Sequence, residues 1–157
     1  MVTFRQIEGV VTRELKRHTD HRGWLVELFR QDELEAQYHP VMAYVSMTEQ
    51  GVARGPHEHA DQADAFAFLG PSTFKIYLWD NRPDSPSYRA RQILEAGASH
   101  PMMVIIPPGV VHAYRNIGNE PGMVINYPNR LFAGWGRKEP VDEIRHENDP
   151  ASPFQLD

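Results

Sequence analysis

An all-β fold, a jelly roll of two antiparallel sheets with short helical segments, is what this sequence predicts. Three observations lead there. Apolar or alternating runs of strand length recur along the chain, Gly, Pro, Asn and Asp punctuate them, and 13 prolines with 11 glycines leave little room for long helices.

The elements follow in order. Val10 to Leu15 is the first strand candidate, and Trp24 to Phe29 follows the turn residues Asp20 to Gly23. Gln31 to Gln37, charged and free of Gly and Pro, reads as a short helix. Val41 to Met47 begins after Pro40 and fades toward Gln50-Gly51. Ala65 to Leu69 runs into Gly70-Pro71, and Phe74 to Trp79 into Asp80-Asn81. Met102 to Ile106 lies between two prolines, and Met123 to Tyr127 ends at Pro128. Trp24, Phe66, Phe68, Tyr77 and Trp79 are the aromatics expected at core positions. No linker-like or low-complexity stretch divides the run, so residues 1–157 are expected to form one domain.

Composition narrows the classes of function. A hydrophobic content of 41% and a charged content of 24% are ordinary for a globular protein. The net charge of -5 speaks against nucleic acid or an anionic membrane as a partner. There is no cysteine, which excludes disulfides, thiolate metal sites and cysteine nucleophiles. The N-terminus lacks the apolar core of a signal peptide, and no apolar run approaches the roughly 18 residues of a membrane span, so a cytoplasmic location is expected.

Two motifs carry chemistry. Arg54-Gly55-Pro56-His57-Glu58-His59 holds a His-x-His pair, and in an extended strand residues two apart face the same side, so His57 and His59 look into one space. Pro107-Pro108-Gly109-Val110-Val111-His112-Ala113-Tyr114-Arg115-Asn116 reads P-x-G-x-x-H-x-x-x-N, a tight turn that launches a strand carrying His112. Asp64 follows the pair by a few residues. His57, His59, Asp64 and His112 together form a set that suits a divalent transition metal, Zn, Fe, Mn, Ni or Cu. The same histidines serve equally as a base and hydrogen-bond donors without a metal. His18, His21, His39, His100 and His146 show no such spacing and are assigned to the surface.

Taken together, these motifs resemble the two signatures of the cupin superfamily, whose double-stranded β-helix is a jelly-roll barrel. Further segments are similar to one branch, the dTDP-4-dehydrorhamnose 3,5-epimerases. Asp20-His21-Arg22-Gly23-Trp24-Leu25-Val26-Glu27 resembles its D-x-R-G-x-x-x-E, and Gly51 to His57 its G-V-x-R-G-x-H. Asp80-Asn81-Arg82, Ser85-Pro86-Ser87-Tyr88, Ile106 to Tyr114 and His146-Glu147-Asn148-Asp149 follow in order, so the resemblance spans roughly Val10 to Asp149.

The resemblance implies a single cupin domain acting on a dTDP-4-keto-6-deoxyhexose by removing a proton next to the C4 carbonyl. It assigns the base to His57 and its partner carboxylate to Asp149. It places Arg22 and Arg54 at the phosphates or sugar, Glu27 at the nucleotide and His112 in the cavity. It implies no required cofactor, and a homodimer in which Arg22 acts in the neighbour's pocket.

Two departures stand out. The family's lysine after the R-G-x-H strand has no counterpart, because no lysine lies between Lys16 and Lys75. The family's tyrosine proton donor falls near Asn126. The closest phenol is Tyr127, which strand alternation aims at the opposite face. A divalent metal is one replacement for the lysine. Three classes stay open at this point: an epimerase or related keto-sugar isomerase, a metal-dependent cupin enzyme acting on another small molecule, and a non-catalytic sugar-binding cupin.

Overall fold

The computed structural model describes residues 6–157. The strands among them are β1 (Val11–Glu14), β2 (Arg17–Asp20), β3 (Gly23–Val26), β4 (Tyr44–Thr48), β5 (Ala53–Glu58) and β6 (Asp64–Phe68). They continue with β7 (Thr73–Asp80), β8 (Arg91–Gly97), β9 (Met102–Ile106), β10 (Val110–Asn116), β11 (Gly122–Asn126) and β12 (Ile144–Arg145). One sheet has the order β1-β9-β6-β11-β4 and the other β12-β5-β10-β7-β8, with β2 and β3 forming a separate hairpin. All pairings are antiparallel, so the predicted jelly roll of two facing sheets is the observed fold.

Period-two alternation sorts the side chains into three apolar layers. Phe66, Phe68, Phe74, Ile76, Leu78, Val104, Val110, Tyr114 and Val124 fill the space between the sheets. Their neighbours in sequence point outward. Ala65, Ala67, Met103, Ile105 and Tyr127 form an outer layer on the first sheet, covered by Val26, Leu28, Leu34 and Tyr38. Tyr77, Trp79, Val111 and Ala113 do the same on the second sheet under Phe154 and Leu156. Each fully buried Phe, Leu or Ile contributes about 1.5–3 kcal/mol relative to an exposed one. The inner aromatics therefore hold the sheets together at one end of the barrel and leave the other end open for polar groups.

Two glycines let the motif strands meet. At Gly55, with φ +84°, a Cβ would lie 2.5 Å from the carbonyl oxygen of His112, so only glycine permits β5 to approach β10 where His57 pairs with His112. At Gly109, with φ +78°, a Cβ would strike the Arg82 side chain at 2.5 Å. That turn launches β10 with Val110 and His112 facing inward.

Several expectations need correction. Gln31 to Gln37 is not one helix but two short 3-10 turns, Gln31–Glu33 and Ala36–Tyr38, split by extended backbone at Leu34. A single turn cannot offset helix nucleation, and Leu34 and Tyr38 are held by the outer apolar layer instead. Trp24 is not core: it is 55% exposed on the β2–β3 hairpin, with the Arg17 guanidinium 5.0 Å from its ring centroid. Strands β2, β8 and β12 have no counterpart among the sequence candidates. β8 carries Arg91, Gln92 and Glu95 among its apolar residues and pairs through backbone with β7.

Candidate active site

His57 comes from β5, His112 from the facing position on β10, Asp64 from the start of β6, and His59 from just beyond β5. The ring centroids of His57 and His112 are 4.5 Å apart, and those of His59 and His112 are 5.7 Å apart. One ligand atom from each of His57, His59, Asp64 and His112 can be chosen so that all lie within 4.8 Å of one another. The structure thus brings these four sequence-predicted residues together in one cluster.

The four groups divide by their outer partners. Asp64 Oδ2 lies 2.9 Å from His59 Nε2 and 3.0 Å from His112 Nε2. Its other oxygen accepts from Gln62 Nε2 at 2.8 Å and from Asn126 Nδ2 at 3.2 Å. The far nitrogen of each ring faces a backbone carbonyl, Val110 O at 3.0 Å for His112 and Asp142 O for His59. His57 differs. Its nearest carboxylate oxygen, Glu147 Oε2, stands 3.9 Å from Nδ1, beyond hydrogen-bond reach, and no hydrogen bond to the described residues holds either ring nitrogen.

Electrostatics follow this division. Burial, reinforced by His112 and His59, pushes the His57 imidazole down to about 2, so it stands neutral. Burial also works against charge on His59, but the hydrogen bond and negative charge of Asp64 outweigh it and lift the ring to about 9. Burial opposes ionisation of Asp64 as well, and the bonds from His112 and His59 still hold it well below the ordinary carboxylate range. Without a metal, Asp64 and His59 form a buried ion pair beside a neutral His57.

The donor set also fits a metal. Metal-binding histidines commonly direct the second nitrogen to a backbone carbonyl or carboxylate, which fixes the ring and leaves one lone pair free. His59 and His112 do this, and Asp64 has its spare oxygen bonded. His59, Asp64 and His112 would hold a divalent transition ion, with His57 the member that lacks outer support.

The cluster opens into a cavity of about 1300 Å³, lined among others by Tyr44, Arg54, Arg130, Trp135, Arg137 and Arg145. Arg54 is steadied by Thr48 Oγ1 at 3.0 Å and Met47 O at 2.7 Å. The other expected residues lie elsewhere. Asp149 is exposed, and its Oδ1 accepts from the Ala151 N–H at 2.9 Å; the carboxylate that approaches His57 belongs to Glu147. The reason is register: Arg145 of β12 pairs with His57, so the following turn delivers Glu147. Tyr127 points away from the cavity, with its ring stacked on Phe29 at 5.3 Å and its hydroxyl donating to Leu28 O at 3.4 Å. Arg22, 78% exposed on the side chain, is paired with Asp20 at the hairpin tip, and Glu27 faces Arg30.

Some residues escaped the sequence reading. His146 is not free surface: its Nε2 lies 2.8 Å from Glu58 Oε1 and its ring packs on Phe154, which pins the turn that carries Glu147. Arg130 and Arg137 sit in the segment between β11 and β12, and Arg145 on the two-residue β12, where no periodicity marks them. Asp80 and Asn81, within one of the matched segments, build structure. Asp80 receives Arg82, Ser85 and Ser87, while Asn81 donates to Glu58 Oε1 at 2.8 Å.

The sequence pattern of the family described as dTDP-4-dehydrorhamnose 3,5-epimerase matches residues 5–130. The chain belongs to the dTDP-4-dehydrorhamnose 3,5-epimerase family. Within reach of this family lies the "probable low-salt glycan biosynthesis epimerase Agl13" of Haloferax volcanii, 39% identical over 127 residues, which are 80% of this chain and 81% of the relative. The "spore coat polysaccharide biosynthesis protein SpsL" of Bacillus subtilis is 34% identical over 126 residues, 80% of this chain and 82% of the relative. Among solved structures, a dTDP sugar isomerase from Desulfovibrio desulfuricans superposes with a TM-score of 0.78 at 21% identity, covering 95% of this chain and 91% of its own. ChmJ, a 3'-monoepimerase from Streptomyces bikiniensis in complex with dTDP-quinovose, gives 0.76 at 20% identity, covering 98% of this chain and 79% of its own. These structural likenesses show the dTDP-4-dehydrorhamnose 3,5-epimerase fold.

Proposed function

We propose that this protein is a sugar-nucleotide epimerase that takes a dTDP-4-keto-6-deoxyhexose and inverts one or both carbons beside the C4 carbonyl, with His57 as the base. One observation carries this reading: a neutral imidazole, unbound by any described residue, faces a cavity large enough for a nucleotide sugar. A carbon acid next to a ketone needs a base at hydrogen-bond distance and positive or polar groups near the oxygen where charge develops. His57 supplies the first, with Glu147 placed to stabilise the imidazolium once it forms. Arg54, and with it Arg130, Arg137 and Arg145, offers guanidinium forks to the diphosphate.

The missing lysine has a replacement in this reading. A divalent ion on His59, Asp64 and His112 would polarise the carbonyl as a Lewis acid. These three residues also position the wall against which the ketone rests. The hairpin residues Arg22 and Glu27 reach substrate from a partner in a homodimer, since neither lies in the cavity of its own chain. Among the described residues no helix is long and apolar enough to cross a membrane, and the reading carries a cytoplasmic location with it.

Solvent deuterium tests the proposal. The wild-type protein is expected to place deuterium at C3 or C5 of a dTDP-4-keto-6-deoxyhexose, and His57→Ala to lose at least about 10³-fold in that rate with its fold intact. A H57A variant that exchanges at the wild-type rate would remove His57 as the base.

A second reading is favoured by the four-group cluster itself: a metal-dependent enzyme acting on another small molecule, with His57 as a fourth ligand. Elemental analysis of the purified protein separates the two. Under the epimerase reading H57A keeps its metal content, whereas under the second reading it loses metal as H59A and H112A do.

A further inference from the structure

We propose that Tyr44, reaching into the cavity from the sheet opposite His57, is the acid that protonates the far face of the substrate carbon. This rests on the epimerase reading above and supplies the proton donor that the position of Asn126 lacks.

The placement is geometric. His57 belongs to β5 of one sheet and Tyr44 to β4 of the other, and both line the same cavity. A sugar between the sheets meets the two side chains from opposite walls, which inversion at a carbon requires. Tyr44 stands directly across from Asn126 in the β4–β11 register, so the phenol enters the site one strand over from the family's tyrosine position.

Hydrogen bonding leaves its proton free. Asp64 accepts only, so the Asn126 amide must turn Nδ2 toward it, and that same Nδ2 donates to the Tyr44 oxygen at 2.6 Å. The phenol oxygen is therefore an acceptor inside the protein, and its own O–H points to no acceptor among the described residues. Holding the amide this way leaves Asn126 Oδ1 buried and unpaired, a local cost of about 1–3 kcal/mol. Burial and the charge of Asp64 push the Tyr44 hydroxyl up to about 12, so the group is protonated when substrate arrives.

The other phenols are excluded by position. Tyr127 faces out of the barrel. Tyr114 lies on β10, in the same sheet as His57, is 5% exposed, and has its hydroxyl 3.2 Å from Ser46 Oγ. Tyr44, by contrast, is 48% exposed, with its hydroxyl at the buried cluster.

The step balances as a double proton transfer. His57 takes the proton from carbon, the C–H electron pair forms the enolate, and the negative charge rests on the carbonyl oxygen. Tyr44 then gives its proton to the opposite face as the carbonyl re-forms. Imidazolium and phenolate are reset by solvent.

Removing the hydroxyl should separate exchange from inversion. In Tyr44→Phe, His57 still forms the enolate and returns a solvent-derived proton to the same face. Deuterium entry is expected to stay within about tenfold of wild type while inversion falls at least about a hundredfold. Tyr44→Leu removes the proton with a second apolar side chain and should behave alike, and thermal melting checks that both variants are folded. Tyr127→Phe should keep both rates. Inversion at the wild-type rate in Y44F and Y44L, or equal loss of exchange and inversion in both, would overturn the assignment. If the wild-type protein shows no exchange, the epimerase reading fails first, and the assignment of Tyr44 falls with it.

Discussion

A base works through its neighbours, and at His57, the base we propose, the carboxylate that comes nearest is that of Glu147. With Oε2 3.9 Å from Nδ1, this carboxylate needs only a small side-chain shift to bond the imidazolium that forms on proton abstraction. Glu147→Gln keeps the shape and removes the charge, so deuterium exchange should slow by about 10- to 100-fold, while Asp149→Asn should leave it unchanged. Steady-state exchange rates of the two variants decide between them, and a slow D149N beside a normal E147Q would reverse the roles. The site was legible in the sequence as far as side-chain spacing reached. His57, His59 and His112 follow from strand alternation and from the P-x-G turn, and Asp64 from its distance to the pair. Glu147 was not legible, because a two-strand-residue pairing, Ile144 with Glu58 and Arg145 with His57, sets which acid of a short segment faces inward. Tyr44 was hidden for a similar reason: only the register of β4 on β11 puts it beside Asn126.

At the scale of elements, the turn after β7 shows what the matched Asp-Asn-Arg segment does. Asp80 is buried, and its two oxygens receive Arg82 Nε at 2.8 Å, Arg82 Nη2 at 2.9 Å, Ser85 Oγ at 2.6 Å and Ser87 Oγ at 2.5 Å. The clamp fixes the loop that returns the chain to β8 and holds the Arg82 side chain against Gly109, where β10 begins. Asp80→Asn should destabilise the protein by about 2 kcal/mol at neutral pH without changing its fold. The sign with pH is set by these bonds: burial opposes the charge, but they hold the native carboxyl far below the ordinary value, so the native state binds the proton less readily than the unfolded chain. That stability is complete above the unfolded carboxylate pKa of about 3.9 and is lost as pH falls toward the native one. Urea unfolding of wild type and D80N should therefore differ by a constant amount from pH 7 to about 5 and converge below about pH 4. A gap that persists unchanged at pH 3 would mean that packing, and not the charge, stabilises the turn. Strands with clear punctuation were readable within three residues at either end, whereas β8 was not, since its polar residues conceal a pairing made by backbone alone.

For the whole molecule, the separation between Arg22 and the cavity carries the argument. The β2–β3 hairpin holds Arg22 at its tip and leaves Trp24 and Leu25 exposed, at 55% and 65%. A hairpin with two exposed apolar side chains and a cation at its tip is suited to lie across a second copy of the chain and bring the guanidinium to that copy's diphosphate. In such a dimer each site draws His57 from one subunit and Arg22 from the other. Arg22→Ala should weaken nucleotide-sugar binding even though its own cavity is untouched, and H57A should be inactive. Unfolding the two variants together and refolding them in equal amounts gives mixed dimers in half of the population, each with one site that has both residues and one that has neither. Activity should then return to about a quarter of the wild-type value per subunit, well above the mean of the separate variants at low substrate concentration. Simple averaging of the two activities would show instead that every site is built from one chain, and that the hairpin serves only the assembly or the surface.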